Sequence, residues 1–151
     1  ETRMKFSAYI HEAVVCGSGL PFVSAIVSID LENVGNWAKK RGISFTTVQD
    51  LSQRPEVYEL IRKEIQKIGE RFPENIRIKR FAILLKPLHP DDGEMTRTRK
   101  VRRAFVYERY QPLIQDLYGL KNEHDLDLKI RYEDGRVTNF TGKVAIKEVY
   151  P

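Results

Sequence analysis

Gly93-Glu94-Met95-Thr96-Arg97-Thr98-Arg99-Lys100-Val101-Arg102-Arg103 places five cations in the seven residues 97–103, directly after the turn signal His89-Pro90-Asp91-Asp92-Gly93. The stretch runs without a break into residues 101–110, which read as a helix. Thr98 is a natural N-cap for that helix, since its hydroxyl can accept a bond from a first-turn amide that has no other partner. The cap would set Arg99, Lys100, Arg102 and Arg103 at the helix start. Cations there oppose the positive end of the helix dipole, so stability alone does not select them. A positive loop at such a place suits an anion.

Working outward, residues 78–86 read as a strand, because Phe81, Ile83 and Leu85 alternate with Arg80, Ala82 and Leu84. Upstream lies a long helix that opens on Pro55, carries Val57, Leu60, Ile61, Ile65, Ile68 and Phe72 on one stripe, and stops at Pro73. Its Glu56 and Glu59 lie early and its Lys67 and Arg71 late, as the dipole prefers. Residues 47–52 form a shorter helix. Asp30 caps another over residues 31–41, and Gly42 ends it. Residues 13–16 and 22–29 are two strands joined by Gly17-Ser18-Gly19-Leu20-Pro21, an antiparallel hairpin in which Ser24 and Ser28 lie on the face opposite Val23, Ala25, Val27 and Ile29. Residues 1–10 have near-helical apolar spacing.

Downstream of the basic stretch, Pro112 either kinks the helix or opens a second one that ends near Gly119. Leu126, Leu128, Ile130 and Tyr132 then alternate with Asp127, Lys129 and Arg131. Glu133-Asp134-Gly135 supplies a turn, and residues 137–149 return as strand. Helices and strands mix without strict alternation. The expected class is therefore α+β, a small antiparallel or mixed sheet flanked by helices, with an extra C-terminal β-hairpin.

The 151 residues suffice for one domain with a core. With 41% hydrophobic and 31% charged residues, the chain reads as globular. No apolar run approaches the roughly 18 residues of a membrane span, and no signal-peptide pattern opens it. The single cysteine, Cys16, has no internal partner, which favours a reducing, cytoplasmic setting. The chain begins at Glu1 rather than methionine, and the expectation is a piece of something longer. The net charge of +5 fits a polyanionic partner.

Few constellations carry chemistry. His11, His89 and His124 are far apart and no zinc spacing occurs, so no metal site is expected. Ser18 lacks the outer residues of a nucleophile elbow. Residues 17–22 fail the dinucleotide fingerprint, with Phe22 where the third glycine belongs. Thr141-Gly142-Lys143 resembles the end of a phosphate loop, but Val137 holds the first glycine position and Val144 replaces the Ser or Thr, so it reads as a surface turn in a strand pair. Asp91-Asp92 reads as turn chemistry. Residues 93–103 remain, and three readings stand: a solvated basic turn; a nucleic-acid surface with Phe105, Tyr107 and Tyr110 for stacking; or an active-site lysine acting on a phosphate.

The 93–103 stretch, with Tyr107-Glu108-Arg109-Tyr110 and Leu117-Tyr118 after it, resembles the C-terminal domain of AMP-forming acyl-CoA synthetases of the long-chain fatty-acid type. Residues 5–15, residues 22–29, Trp37-Ala38, Pro55-Glu56-Val57 and Ile78-Lys79-Arg80-Phe81 fall in matching order, so the resemblance covers about residues 1–120. It implies a lid domain over residues 1–119, with residues 120–151 as a β-hairpin extension of it. It also implies two steps in the parent enzyme: a carboxylate attacks ATP to give an acyl-adenylate and pyrophosphate, and coenzyme A then displaces AMP. By motif position the lysine of the first step is Lys100, and Arg97, Arg99, Arg102 and Arg103 are the candidates to hold nucleotide or coenzyme A phosphates. Many relatives place Ser-Gly before that lysine where Thr98-Arg99 stands here, and Lys143 is the alternative by spelling. The implied partners are the protein's own N-terminal adenylation domain, which would bind most of the ATP, Mg2+ and fatty acid, and coenzyme A. Membrane association of the parent is left open. The resemblance implies no nucleic-acid partner, although a basic nucleic-acid-binding module is the rival reading.

Overall fold

Two hairpins and one helical crossover build the sheet. The computed structural model describes residues 1–132 and 134–151. Strands β1 (Ile10–Cys16) and β2 (Val23–Ile29) pair antiparallel across the 17–22 loop, as the Gly-containing connection predicts. Helices α1 (Leu31–Lys40), α2 (Val48–Ser52) and α3 (Pro55–Gly69) then carry the chain across to β3 (Ile78–Ile83), which lies parallel to β2. After α4 (Arg103–Arg109) and α5 (Gln111–Leu117) come β4 (Glu123–Arg131) and β5 (Val137–Glu148), an antiparallel pair. The strand order is β1-β2-β3-β5-β4, one mixed five-stranded sheet with helices on both faces. The α+β class is observed.

Local chemistry sets the boundaries. The Asp30 carboxylate accepts the Asn33 amide at 2.9 Å and the Thr47 hydroxyl accepts that of Asp50 at 3.0 Å, which caps α1 and α2. Gly42 follows α1 with φ +70, and Pro55 opens α3 where no donor is needed. Pro112 sits at the start of α5 and so opens a second helix rather than kinking one. Residues 1–10 are a correction, since the chain makes one 3-10 turn at Met4–Phe6 and then enters β1 at Ile10. The apolar spacing there reflects Met4 and Ile10 packing into the core, not a continuous helix. Of the turn expected at residues 133–135, Glu133 lies outside the described residues, while Gly135 adopts φ +87.

The sheet is buried on both faces. Val34, Leu51, Val57, Tyr58, Ile61 and Ile65 pack on Ala25, Val27, Phe81 and Ile83. On the other face Val106, Tyr110, Leu113 and Leu117 meet Ile26 and Ala82, joined by Leu126, Leu128 and Ile130 of β4. That second layer covers the face of β2 that carries Ser24 and Ser28, and both are buried. The Ser24 hydroxyl donates to Tyr118 Oη at 2.9 Å, which satisfies it under α5. Among the described residues no helix is long and apolar enough to cross a membrane.

Candidate functional site

Residues 93–103 fold as a tight hairpin, and α4 begins only at Arg103. Met95 and Val101 pair antiparallel. The Thr96 amide donates to the Lys100 carbonyl at 2.8 Å, and the Arg99 amide donates to the Thr96 carbonyl at 2.9 Å. Arg99 closes the turn with φ +65, the left-handed residue that follows the turn in a three-residue hairpin loop. Thr98 therefore caps nothing; its hydroxyl lies 3.0 Å from that of Thr96, which in turn accepts the Lys100 amide at 3.0 Å. The physical reason lies in the arms. Met95 is buried in the second core with Val101 against it, and a helix starting at residue 99 would break that pairing and stack four cations on the positive end of a dipole.

The hairpin projects Lys100 and Arg99 into solvent. Among the described residues, no side chain bonds or ion-pairs the Lys100 ammonium. The hairpin also forms one wall of an open cleft of about 640 Å³, where Arg97, Arg102 and Arg109 face Lys129 and Arg131 of β4. The remaining cations are already engaged. Arg102 lies 4.9 Å from the centre of the Phe105 ring and donates to the Gly93 carbonyl at 2.9 Å. Arg103 makes a two-point pair with the Glu1 carboxylate and donates to Tyr107 Oη at 3.1 Å. The Tyr107 hydroxyl continues to the Val15 carbonyl at 2.8 Å, so this side chain ties α4 to the end of β1.

Beneath the hairpin lies a cluster that the sequence reading missed. Lys86 donates to Asp92 at 2.5 Å and to Glu94 by a shorter contact, and both acids are buried. The other oxygen of Glu94 accepts the Tyr110 hydroxyl at 2.6 Å and lies 3.2 Å from Arg109. Burial pushes the Glu94 carboxyl above its ordinary value, against the pull of Lys86. Burial and the Glu94 charge likewise hold the Tyr110 hydroxyl protonated well past its usual range. Asp92 is thus a core ion-pair partner rather than plain turn chemistry. The available signal was Lys86, a cation that ends the apolar run Phe81-Ala82-Ile83-Leu84-Leu85.

The aromatics proposed for base stacking are occupied. Tyr110 is buried on Glu94, Tyr107 is hydrogen-bonded to β1, and Phe105 sits between Arg102 and Arg109, whose guanidinium lies 4.5 Å from its ring centre. Thr141-Gly142-Lys143 lies within β5 opposite Asp127, Leu126 and Asp125, so it is strand rather than turn. The Lys143 ammonium pairs with Glu123 at 3.2 Å and Asp125 at 3.6 Å. His124 bonds Asp116 at 2.6 Å, a tie between β4 and α5. Among the described residues no three His, Cys, Asp or Glu side chains converge as a metal site.

The family model described as "AMP-binding enzyme C-terminal domain" matches residues 1–122. The long-chain-fatty-acid–CoA ligase FadD15 of Mycobacterium tuberculosis is 29% identical over 120 residues, which is 79% of this chain and 20% of that protein. The chain thus spans about one fifth of the curated relative's length. Among solved structures, the A-PCP didomain of carboxylic acid reductase from Segniliparus rugosus, in complex with AMP, shares the fold with a TM-score of 0.57 at 20% identity, over 78% of this chain and 15% of that one. The adenylation domain of a carboxylate reductase from Mycobacterium chelonae gives 0.59 at 19% identity, over 78% of this chain and 17% of that one.

Proposed function

The chain belongs to the family of AMP-binding enzyme C-terminal domains, and from that premise we propose that it is the lid of a ligase that activates a fatty acid with ATP and passes the acyl group to coenzyme A. In the first step a carboxylate oxygen attacks the α-phosphorus, a P–O bond forms, and pyrophosphate leaves. In the second the coenzyme A thiol attacks the acyl carbonyl, a C–S bond forms, and AMP leaves. The large adenylation domain of the same protein is the partner, holding most of the ATP and acyl sites. Among the described residues no three His, Cys, Asp or Glu side chains converge to hold Mg2+, and the adenylation domain is the place for it. With Cys16 as the sole cysteine, we read the compartment as cytoplasmic.

One observation carries the reading: Lys100 stands exposed on a hairpin whose two arms are fixed in the core, with its ammonium free of partners among the described residues. A compact ammonium on a flexible stem is suited to bridge the attacking carboxylate and the α-phosphate, which holds the pair close and offsets charge as it grows. Lys143 is engaged with two carboxylates of the neighbouring strand β4, which supports Lys100 over it. Arg99 is the phosphate-binding candidate with most freedom, since Arg102 and Arg103 are held by Phe105 and Glu1.

The test is Lys100→Ala in the full-length protein, with the half-reactions assayed apart. Pyrophosphate release from acid plus ATP should fall about 100-fold or more. Thioester formation from preformed acyl-adenylate should stay within a few-fold. If both survive, the role of Lys100 is wrong and Lys143→Ala is the next variant. The 151-residue chain alone should turn over nothing, and any turnover of acid, ATP and coenzyme A by it sinks the lid reading.

A further inference from the structure

Glu94 is a charged residue whose main chain and side chain both serve the hairpin that carries Lys100. Its carbonyl accepts the amide of Arg102 at 2.9 Å, which joins the residue entering the hairpin to the one leaving it. Its side chain is fully buried and divides between two parts of the fold. Oε1 takes Lys86, beyond the end of β3, while Oε2 accepts the Tyr110 hydroxyl at 2.6 Å and lies 3.2 Å from the charge of Arg109, at the end of α4. One carboxylate therefore fixes the hairpin base against the sheet and against the helix at once.

Stability is a poor explanation for such a cluster. Lys86 and Arg109 balance Asp92 and Glu94 in charge, but burying two such pairs sets desolvation against attraction, and well-packed apolar residues often serve as well or better. What apolar residues do not supply is direction. Met95 could slide in an oily contact, whereas a carboxylate bonded at both oxygens holds the base in one orientation. The Arg109 guanidinium also stacks on Phe105, which carries Arg102 on the outgoing arm, so the constraint at Glu94 reaches the residue two positions beyond Lys100.

We propose that Glu94 is the positioning residue for Lys100, setting the direction in which its ammonium is presented while touching no substrate itself. This rests on the reading of Lys100 as the adenylation lysine. A displaced ammonium no longer spans carboxylate and α-phosphate, so the loss should fall on the first half-reaction alone.

The experiment is a double-mutant cycle in the full-length protein. Glu94→Gln keeps the volume and removes the charge, and it should slow pyrophosphate release about 10- to 100-fold. The KM for ATP should be nearly unchanged and the thioester step should stay within about twofold of wild type. In a Lys100→Ala background the same substitution should add almost nothing to the loss, because it acts through the lysine already removed. Tyr110→Phe deletes one donor to Glu94 with little change of shape. It should show the same split at a smaller, several-fold size, and it carries the test if Glu94→Gln does not fold. Equal losses in both half-reactions, or a full Glu94→Gln effect persisting without Lys100, overturn the proposal and leave Glu94 a plain core residue. If Lys100→Ala leaves pyrophosphate release intact, the lysine reading itself has failed, an outcome distinguishable from the others.

Discussion

Arg80 reaches from β3 to the carboxyl end of α5, where its guanidinium donates to the carbonyl of Leu117 at 2.8 Å. The same group serves the carbonyls of Gly119 at 2.7 Å and Lys121 at 2.5 Å. Leu117 supplies one of the acceptors a helix end leaves without partners, Gly119 and Lys121 follow it in the connection to β4, and a buried cation also suits the negative end of the dipole. Arg80→Met keeps the stem and strips every donor, so it should cost about 3 kcal/mol in urea unfolding of the chain. Arg80→Lys should recover part of this. A loss below about 1 kcal/mol for the methionine variant would mean that water replaces the guanidinium and that Arg80 does not hold α5 to the sheet.

Arg80 also shows what the sequence could and could not tell. The alternation Arg80, Ala82, Leu84 against Phe81, Ile83, Leu85 identified a strand, since period-two patterning is local. It did not reveal that a second helical layer covers the Arg80 face, because burial is decided by α4 and α5, about 25 to 40 residues onward. For the same reason it did not reveal that Ser24 and Ser28, on the face opposite Val23, Ala25, Val27 and Ile29, are buried. The cap at Asp30 and the Pro55 helix start were legible because each is a local signal within three or four residues, whereas Thr47, read as the first residue of its helix, is in fact the cap. Thr98 failed as a cap for the opposite reason. Its residue type was right, but the Met95–Val101 pairing and the burial of Met95 outweighed a local preference. Lys100 was reached by resemblance, whereas the Lys86–Glu94–Tyr110 cluster beneath it depends on three separated segments and left little trace in the pattern.

Tyr58 marks where β5 leaves β3. The β3–β5 ladder runs from the Arg80 and Glu148 pair to that of Ala82 and Ile146, and then stops. At the next step Tyr58 Oη accepts the Ile83 amide at 2.9 Å and donates to the Ala145 carbonyl at 2.7 Å, while Gln53 takes the Ala145 amide at 3.1 Å. A side chain from α3 thus splits the ladder and frees β5 to pair with β4. Tyr58→Phe leaves the buried Ile83 amide without an acceptor and should cost about 2 kcal/mol. Hydrogen exchange at the Ile83 amide should speed up by more than the global destabilisation explains. Unchanged protection there would show that the two strands close up without the hydroxyl.

Cys16 gives a pH dependence with a definite sign. It is buried at the end of β1, and burial raises its thiol to about 11, with a bond involving Ser24 pulling the other way. An unfolded thiol ionises near about 8.5. Between these values the unfolded chain releases a proton that the folded chain keeps, so the contribution of Cys16 to stability is present below the lower value and lost as pH rises through the upper one. Thiolate absorbance, taken as the difference from Cys16→Ala to remove tyrosine, should show a midpoint near 11 in the folded chain. A folded midpoint close to the unfolded one would show the thiol open to water.

Arg99 separates backbone from charge. With φ +65 it holds a conformation that costs an ordinary residue on the order of 1 kcal/mol, and a β-branched residue more. Arg99→Gly relieves that strain and keeps the turn, so stability should hold or rise by up to about 1 kcal/mol in spite of glycine's freedom in the unfolded chain. Arg99→Val should lose about 1 to 2 kcal/mol by the same argument. Activity then reports the side chain. In the full-length protein, a glycine variant that is stable but slower in one half-reaction assigns the guanidinium to a phosphate in that step. Unchanged rates would assign residue 99 to the turn alone, with Lys100 the working charge of the hairpin. If Arg99→Val were as stable as wild type, the left-handed turn would itself be in error, and with it the presentation of Lys100 that depends on the Thr96 bonds.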